Sequence, residues 1–469
     1  MATDLTTVSA KQTRRTLYIL LLGATMVSFS NSALNPAIPV FMTVFSVDIV
    51  MGSWLLNAYV LAMSIGLLLS GYLNRKFGFK KLYLAAIMGF TLGSLIGLTA
   101  QSMLLVIIAR VVQGLAGGFI IPLSLGLLYQ LYPKSMQGKI MALWGITIML
   151  SLAFGPLLGA YLLEQFAWWM LFAITLPLSA LVIVMIGLWL PEVSAIQESV
   201  KFQSFDKIGF IGFLGWLLMV MIWLNKIRTD GSWQTLSFII VIMLVAWAWW
   251  WYESRQPNPI LEIGLFENKV YLHSTVISVT QSMGLMLCLL LLPIIIQDLM
   301  QLSALWTGAI FMIATVVTSL TSHYAGRIVD SRGARDMSLI GIVISALAML
   351  MLAWCLHEPT PWLLLLIISV HGVGVGLAYL PTMSVGLSSL PYHSVTQGAA
   401  LNNISRRLLS TIFVVIATVY INSDGSSVLS NRSVSFLIGT QHVFVFIGIA
   451  LFFTLLSAHR LPKTRNTNN

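Results

Sequence analysis

Residues 71–81 read Gly71-Tyr72-Leu73-Asn74-Arg75-Lys76-Phe77-Gly78-Phe79-Lys80-Lys81 and form a short basic stretch between two long apolar runs. A similar stretch follows a later apolar run and reads Gly326-Arg327-Ile328-Val329-Asp330-Ser331-Arg332-Gly333-Ala334-Arg335. In both stretches two glycines stand seven residues apart. Glycine permits a tight reversal of the chain, and basic residues are attracted to the anionic inner leaflet of a bilayer. We therefore predict basic turns at corresponding places of an internal repeat.

The composition of the whole chain indicates a membrane protein. Of its 469 residues, 58% are hydrophobic and 9% are charged, whereas about 25% of the residues of a soluble domain are charged. Most of the surface must therefore face lipid. This composition excludes a soluble enzyme and a disordered chain, and the position of Cys288 and Cys355 inside apolar runs argues against a disulfide scaffold.

Fourteen apolar runs have the length that a membrane-spanning helix needs, which is about 20 residues. The predicted spans are residues 16–37, 51–72, 80–99, 103–131, 139–163, 168–190, 207–224, 236–252, 273–297, 303–324, 337–356, 361–383, 397–421 and 437–459. The hydrophilic stretches between them are of loop length, so the function of this protein is predicted to lie within the bilayer.

The basic residues predict the orientation of these spans. If the N-terminus is cytoplasmic, 19 of the 25 lysines and arginines lie on the inner side, and only Lys226, Arg228 and Arg432 lie on the outer side. The remaining three fall inside spans. By the positive-inside rule we predict a multi-pass protein of the cell inner (plasma) membrane with both termini in the cytoplasm. The net charge of +10 then reflects topology, and the predicted partner is the lipid bilayer rather than nucleic acid.

Both basic stretches resemble the signature loop of the major facilitator superfamily, G-x-L-x-D-R-x-G-R-K. Three further segments resemble its fourteen-helix drug:proton antiporter branch, the EmrB/QacA-like proteins: residues 110–118 in the fourth span, Gly155-Pro156-Leu157-Leu158-Gly159 in the fifth, and residues 401–406 in the thirteenth. The resemblance implies an all-α polytopic fold with two pseudo-symmetric six-helix bundles and two inserted helices. The predicted regions are a cytoplasmic tail at 1–15, a bundle at 16–190, inserted helices at 191–252, a bundle at 253–459 and a second tail at 460–469.

The function that this resemblance implies is secondary active export of small amphipathic molecules, as in multidrug efflux, by alternating access. Protons are the expected coupling partner, and a periplasmic adaptor is left open. A facilitator or exporter of an anionic or neutral metabolite is an alternative, and a membrane-embedded lipid-modifying enzyme is an alternative of another class. No catalytic residue, cofactor or metal ligand is predicted.

The candidate site residues are those with polar or small side chains inside spans and in the two basic stretches. An arginine at membrane depth costs about 2.5–3.5 kcal/mol on insertion scales, so it must face a polar cavity or a partner. The predicted substrate and proton pathway consists of Asn31, Asn35, Arg110, Gln113, His371, Asn402 and Arg406, and the role of Arg407 is left open. The predicted gating and packing residues are Gly71, Gly78, Gly114, Gly118, Gly155, Pro156, Gly159, Gly326, Asp330, Gly333 and Arg335.

Acidic residues depart from the family pattern in two places. Ser30 stands where family members usually carry an aspartate in the first span, and Arg75 replaces the aspartate of the first signature loop. None of the fifteen acidic residues lies well inside a predicted span. We therefore expect a positively charged pathway that prefers neutral or anionic substrates, with any proton carried by a histidine such as His371 or by the substrate.

Overall fold

A computed structural model describes residues 10–190, 206–229, 233–256, 259–332, 334–391, 394–422 and 429–462. Throughout these residues the chain is helical, without strands. The predicted all-α class is therefore confirmed.

In the described part of the chain, fourteen main helices follow one another, numbered here in order. They are α1 Ala10–Ala33, α2 Ile49–Phe77, α3 Phe79–Leu98, α4 Met103–Leu131, α5 Lys134–Gln165, α6 Thr175–Trp189, α7 Lys207–Thr229, α8 Trp233–Glu253, α9 Lys269–Ile294, α10 Ala304–Arg332, α11 Ala334–Cys355, α12 Pro361–Ser388, α13 Val395–Asn422 and α14 Leu429–Phe453. Short helical pieces flank some of them: Asn35–Ala37 and Ile38–Val44 after α1, Met170–Ala173 before α6, Ile263–Glu267 before α9, Ile295–Leu299 after α9, and Leu455–His459 after α14.

Twelve helices of the described chain are long and apolar enough to cross a membrane. Shorter apolar stretches of α7 and α8, Lys207–Val220 and Ser237–Glu253, occupy the two other predicted positions. The predicted count of fourteen spans is compatible with this arrangement.

The basic stretch at residues 71–81 differs from its prediction. It is helical up to Phe77, and the reversal takes place at Gly78 alone, where φ is +81°. This conformation suits glycine, whereas Arg75 and Lys76 lie in the last turn of α2, where cations interact favourably with the carbonyl end of a helix. The second stretch likewise continues α10 to Arg332, and Gly333 lies outside the described residues. Both helices therefore continue past the ends of the predicted spans, and the predicted tight reversal of the first stretch is present at Gly78.

The first span contains a break in its α-helix. The apolar span runs from Lys11 to Val44 and so covers the predicted residues 16–37. Within it, α1 ends at Ala33, and Asn35–Ala37 forms a 3₁₀ turn before Ile38–Val44. Pro36 and Pro39 have no backbone N–H and cannot continue an α-helical hydrogen-bond ladder, which accounts for this break.

The chain forms two compact units. The first comprises Met1–Glu198, Leu287–Leu320 and Glu358–Gly372, and the second comprises Ser199–Met286, Thr321–His357 and Val373–Asn469. The first unit has an apolar core in which side chains of α1, α3, α4 and α6 meet, including Leu20, Tyr83, Phe90, Ile120 and Ile186. In the second unit, α11 packs on α14 and α7 packs on α8. The predicted division into bundles at 16–190 and 253–459 stays a prediction.

Candidate functional site

Arg110 lies in the middle of a polar cluster of the first unit. Its side chain is completely buried, with 0% exposed. Nε donates to the backbone oxygen of Leu55 on α2 at 3.0 Å, and Nη1 donates to Gln113 Oε1 at 3.1 Å. Nη2 donates to Asn31 Oδ1 on α1 at 3.4 Å. The guanidinium therefore joins α1 and α2 to α4.

Among the described residues, the positive charge of Arg110 faces an aromatic ring rather than an acid. Its guanidinium carbon lies 4.0 Å from the centroid of the Tyr59 ring, within the range of a cation–π interaction. Within the described part of the chain, no carboxylate pairs with this arginine. A buried charge without a counter-ion is costly to maintain, so its presence indicates a role beyond packing.

Gln113 connects this arginine to two further helices. Its Nε2 donates to Ser94 Oγ on α3 at 3.0 Å, and Ser94 Oγ lies 2.9 Å from Thr175 Oγ1 on α6. Gln113, Ser94 and Thr175 are all buried. The predicted i, i+3 pairing of Arg110 and Gln113 is present, and the network extends it to four neighbouring helices.

The predicted residues of α1 lie at different depths. Asn31 is half-buried, and its Oδ1 is the Arg110 acceptor on this helix. Asn35 is 7% exposed, in the 3₁₀ turn that follows α1. Ser30, which stands in place of the acid expected from the family, is completely buried. The structure thus brings Asn31, Arg110 and Gln113 together, while Asn35 makes no hydrogen bond with Arg110 or Gln113.

Glycines of α4 bring this helix close to α2. A Cβ on Gly114 would overlap the backbone oxygen of Tyr59, and one on Gly118 would overlap that of Met63. Because α4 lies directly on the α2 backbone, the Arg110 side chain reaches the Leu55 carbonyl. Both predicted packing glycines therefore have a structural reason.

The helix α5 makes an equally close contact with α1 through its small residues. A Cβ on Gly155 would overlap Ser32 Oγ, and one on Gly159 would overlap the backbone oxygen of Ala33. Gly308 of α10 lies in turn against Pro156 and Leu157. The Gly155–Gly159 segment is therefore enclosed by two helices of the first unit.

Gly159→Ala is expected to lower the thermal stability of the protein because the new methyl group must push α1 away from α5, an overpacking effect of about 1–3 kcal/mol. The matched control is Gly145→Ala in the same helix, where a Cβ would meet nothing within 4 Å. This control should be neutral or slightly stabilising. The measurement is thermal unfolding of the two purified variants and the wild type, and equal midpoints for all three would contradict the close contact.

Three hydrogen bonds of the first unit lie near the C-terminal ends of α1, α5 and α9. Gln297 Nε2 donates to the backbone oxygen of Pro36 at 2.8 Å and to Thr307 Oγ1 at 3.3 Å. The backbone N–H of Leu305 donates to Glu164 Oε1 at 3.0 Å. The bonds to Pro36 and Glu164, together with the Gly308 contact, join the segment Met1–Glu198 of this unit to its segment Leu287–Leu320. The sequence contains no signal for Gln297, which is 261 residues from its partner.

A second polar cluster lies in the other unit, around Arg406 of α13. Arg406 Nη2 donates to Asn403 Oδ1 at 3.1 Å, and its guanidinium lies 5.2 Å from the centroid of the Tyr379 ring. Asn402 instead donates to Thr275 Oγ1 of α9 at 3.1 Å. Asn403 and Asn402, at positions i−3 and i−4 from Arg406, both share a face of the helix with it. The hydrogen bond of Arg406 goes to Asn403.

The remaining predicted residues are more scattered. His371 of α12 is 2% exposed and lies in the first unit. Gly71 is exposed within α2 and has open space around it, so it makes no tight contact. Arg335 Nη2 contacts His459 Nδ1. Gly326 and Asp330 lie on the last turns of α10, where the backbone alone is described.

Among the described residues, no group of histidine, cysteine, aspartate and glutamate is arranged to hold a metal ion.

Comparison with known proteins identifies relatives along most of the chain. The family profile described as Major Facilitator Superfamily matches residues 20–414. "Uncharacterized MFS-type transporter YhcA" of Bacillus subtilis (strain 168) is 27% identical over 88% of this chain and 78% of its own length. "Multidrug export protein EmrB" of Haemophilus influenzae is 26% identical over 86% of this chain and 80% of its own length.

A solved structure shares the fold. The inward-open conformation of the xylose transporter XylE from E. coli has a TM-score of 0.63 and 15% sequence identity, over 96% of this chain and 97% of that protein. At this identity the similarity concerns the fold alone. Together with the profile match it confirms the predicted family.

Proposed function

This chain belongs to the major facilitator superfamily, and we propose that it exports small amphipathic molecules across the cell inner membrane by alternating access. Membership of this family makes it a membrane transporter rather than an enzyme. The observation that carries export is the close packing of the Gly155–Gly159 segment of α5, since such a segment resembles the element typical of exporters in this family. The name of the multidrug export relative supports the same direction of transport.

The Arg110 cluster suggests the substrate class. Arg110 is buried among Gln113, Asn31 and the Tyr59 ring, and within the described residues it has no acidic partner. A permanent organic cation near this cluster would meet like charge, whereas a neutral or anionic amphiphile would not. We therefore infer that neutral and anionic amphiphiles are the preferred substrates.

The hydrogen bonds of Gln297 and Glu164 would take part in the transport cycle. By the positive-inside rule they lie on the outer side, at the opposite end from Gly78. Alternating access requires that the outer side opens, so these bonds and the Gly308 contact would have to break in the outward-open state.

We assign proton coupling to His371 or to an ionisable group of the substrate, and only in the first case should His371→Gln remove the dependence on a proton gradient.

A facilitator or exporter of a single anionic or neutral metabolite is a second candidate. The uncompensated charge of Arg110 favours it, because a metabolite with a carboxylate or phosphate group could supply the missing negative charge. The two candidates differ in breadth: a multidrug exporter transports several unrelated amphiphiles, and a metabolite transporter does not.

The proposed function can be tested with inverted membrane vesicles from an efflux-deficient bacterium that produces the full chain. Vesicles that are acidic inside should accumulate several unrelated neutral dyes, and vesicles from the empty host should not. In a variant lacking Cys288 and Cys355, an impermeant thiol reagent added outside should label a cysteine in place of Lys80 but not one in place of Arg228. Dye uptake equal to that of the host would contradict export, and the reverse labelling would contradict the orientation.

A further inference from the structure

Two carboxyl groups meet where α7 begins and α8 ends, in the second unit. Asp206 directly precedes α7, and Glu253 is the last residue of α8. They are 47 positions apart in the chain: Asp206 falls within the predicted inserted helices at 191–252, and Glu253 is the first residue of the predicted bundle at 253–459. Neither is among the residues assigned above to the transport pathway. The sequence placed each of them near the end of a span and did not predict that they meet.

Asp206 is held by hydrogen bonds to one of its two carboxyl oxygens. Oδ1 accepts the backbone N–H of Gly209 at 2.9 Å and the Tyr252 hydroxyl at 3.1 Å. The first bond caps α7, and both donors stabilise a negative charge at the start of this helix. Oδ2 is buried and has no hydrogen-bond partner.

Glu253 has the same asymmetry. The residue is 1% exposed, and its Oε1 accepts the backbone N–H of Leu261 at 3.0 Å. Oε2 is buried and has no hydrogen-bond partner. An ionised oxygen that is buried without a donor is strongly unfavourable, so Glu253 has a reason to keep a proton.

Gly209 lies directly beneath both unpartnered oxygens. A Cβ on this glycine would overlap Asp206 Oδ2 and Glu253 Oε2 at once, so the two oxygens lie side by side above its Cα. The Trp249 indole N–H donates to the backbone oxygen of Gly209 at 2.8 Å and fixes this turn against α8. The absence of a side chain at position 209 therefore allows the two carboxyl groups to approach each other.

We propose that Asp206 and Glu253 share one proton, which Glu253 Oε2 donates to Asp206 Oδ2. The pair then carries a single negative charge, and each of its four oxygens has a hydrogen-bond partner. Two ionised carboxylates this close would repel each other, which is the usual reason for which neighbouring carboxyl groups share one proton. The shared proton fastens the start of α7 to the end of α8 and, through Leu261, to the segment that follows.

Few other charged or titratable groups surround the pair among the described residues. On α7, Lys207 is exposed, and on α8 the Tyr252 hydroxyl donates to Asp206. In the segment after α8, Arg255 is exposed and lies 3.7 Å from the centroid of the Trp251 ring, and Glu262 is half-buried. On α13, which also packs on α7, the charged residues are Arg406, which bonds Asn403, and Arg407. The pair is thus expected to lose its proton as the pH rises, and its ionised oxygens would then separate.

Infrared difference spectroscopy on the purified full-length protein tests the shared proton directly. At neutral pH the wild type should show the C=O stretch of a protonated carboxylic acid, and Glu253→Gln should lose this band. The matched control is Glu267→Gln, which removes an exposed carboxylate a few residues later and should leave the band unchanged. Absence of the band from the wild type, or its full retention in Glu253→Gln, would overturn the proposal.

Thermal unfolding provides an independent measurement that does not depend on transport. Glu253→Gln keeps a donor toward Asp206 Oδ2 but cannot ionise, so its midpoint should change less between neutral and alkaline pH than that of the wild type. A proton bound in the folded state stabilises the protein at low pH, and this stabilisation is lost as the pH rises. Glu267→Gln should follow the wild type. Equal alkaline shifts for the wild type and Glu253→Gln would overturn the proposal.

Discussion

Arg110→Ala is expected to abolish transport while the protein still inserts into the membrane. The substitution removes the donors to Leu55, Gln113 and Asn31 and the cation on the Tyr59 ring. Hydrogen bonds of a charged group contribute about 1.5–3 kcal/mol each. If one such bond stabilises the slowest step of the transport cycle, its loss slows transport by about tenfold or more. The measurement is dye efflux from cells that contain equal amounts of each variant in the membrane.

Two further variants make this prediction specific. Arg110→Lys keeps the charge but has a single ammonium group, which cannot reach three acceptors on different helices as a planar guanidinium does, so transport should also fail. Arg14→Ala is the matched control, because Arg14 bonds Tyr18 and lies over its ring but is exposed. Arg14→Ala should transport normally. Wild-type efflux by Arg110→Ala would reduce Arg110 to a packing residue.

The spans and Arg110 could be recognised from the sequence because a bilayer imposes strict local rules. Its thickness fixes the length of an apolar helix, and its low polarity makes an arginine conspicuous at any depth. Gln113 could be paired with Arg110 because residues three positions apart lie on the same face of a helix. Each of these inferences depends on neighbours in the chain.

The other partners of the site could not be predicted in this way. Tyr59 and Ser94 reach the cluster only because glycines let α4 lie on α2 and because α3 packs beside it. Asn31 was a predicted pathway residue, but its hydrogen bond with Arg110 likewise depends on the packing of α1 beside α4. The same limit applies to Asp206 and Glu253, which come from the ends of two helices. The sequence indicated no carboxylate pair within the spans, and the pair that exists lies at their ends. Contacts of this kind depend on tertiary packing, which one sequence does not specify at the level of single atoms.

The charge of the substrate should have the second large effect. A monovalent cation about 6 Å from the uncompensated charge of Arg110 would be repelled by about 3 kcal/mol at an effective dielectric constant of 20, or about a hundredfold in affinity. Neutral and anionic dyes of similar size escape this repulsion. We therefore expect transport of quaternary cations to be weak, in contrast to what the family label of multidrug export alone suggests.

Gln113→Glu should relax this preference. Gln113 Oε1 already accepts a hydrogen bond from Arg110 Nη1 at 3.1 Å, so a glutamate there would place a counter-ion at nearly the same position. The repulsion of cations should then largely disappear. Gln301→Glu is the matched control, because it adds the same charge at an exposed residue and should leave the preference unchanged.

The preference for neutral and anionic substrates is tested most directly by dye uptake into inverted vesicles that contain the wild type, Gln113→Glu or Gln301→Glu. Matched cationic, neutral and anionic dyes are compared, each with and without a pH gradient. We expect gradient-driven uptake of the neutral and anionic dyes by all three proteins, and of the quaternary cation by Gln113→Glu alone. Robust uptake of the quaternary cation by the wild type would contradict this preference.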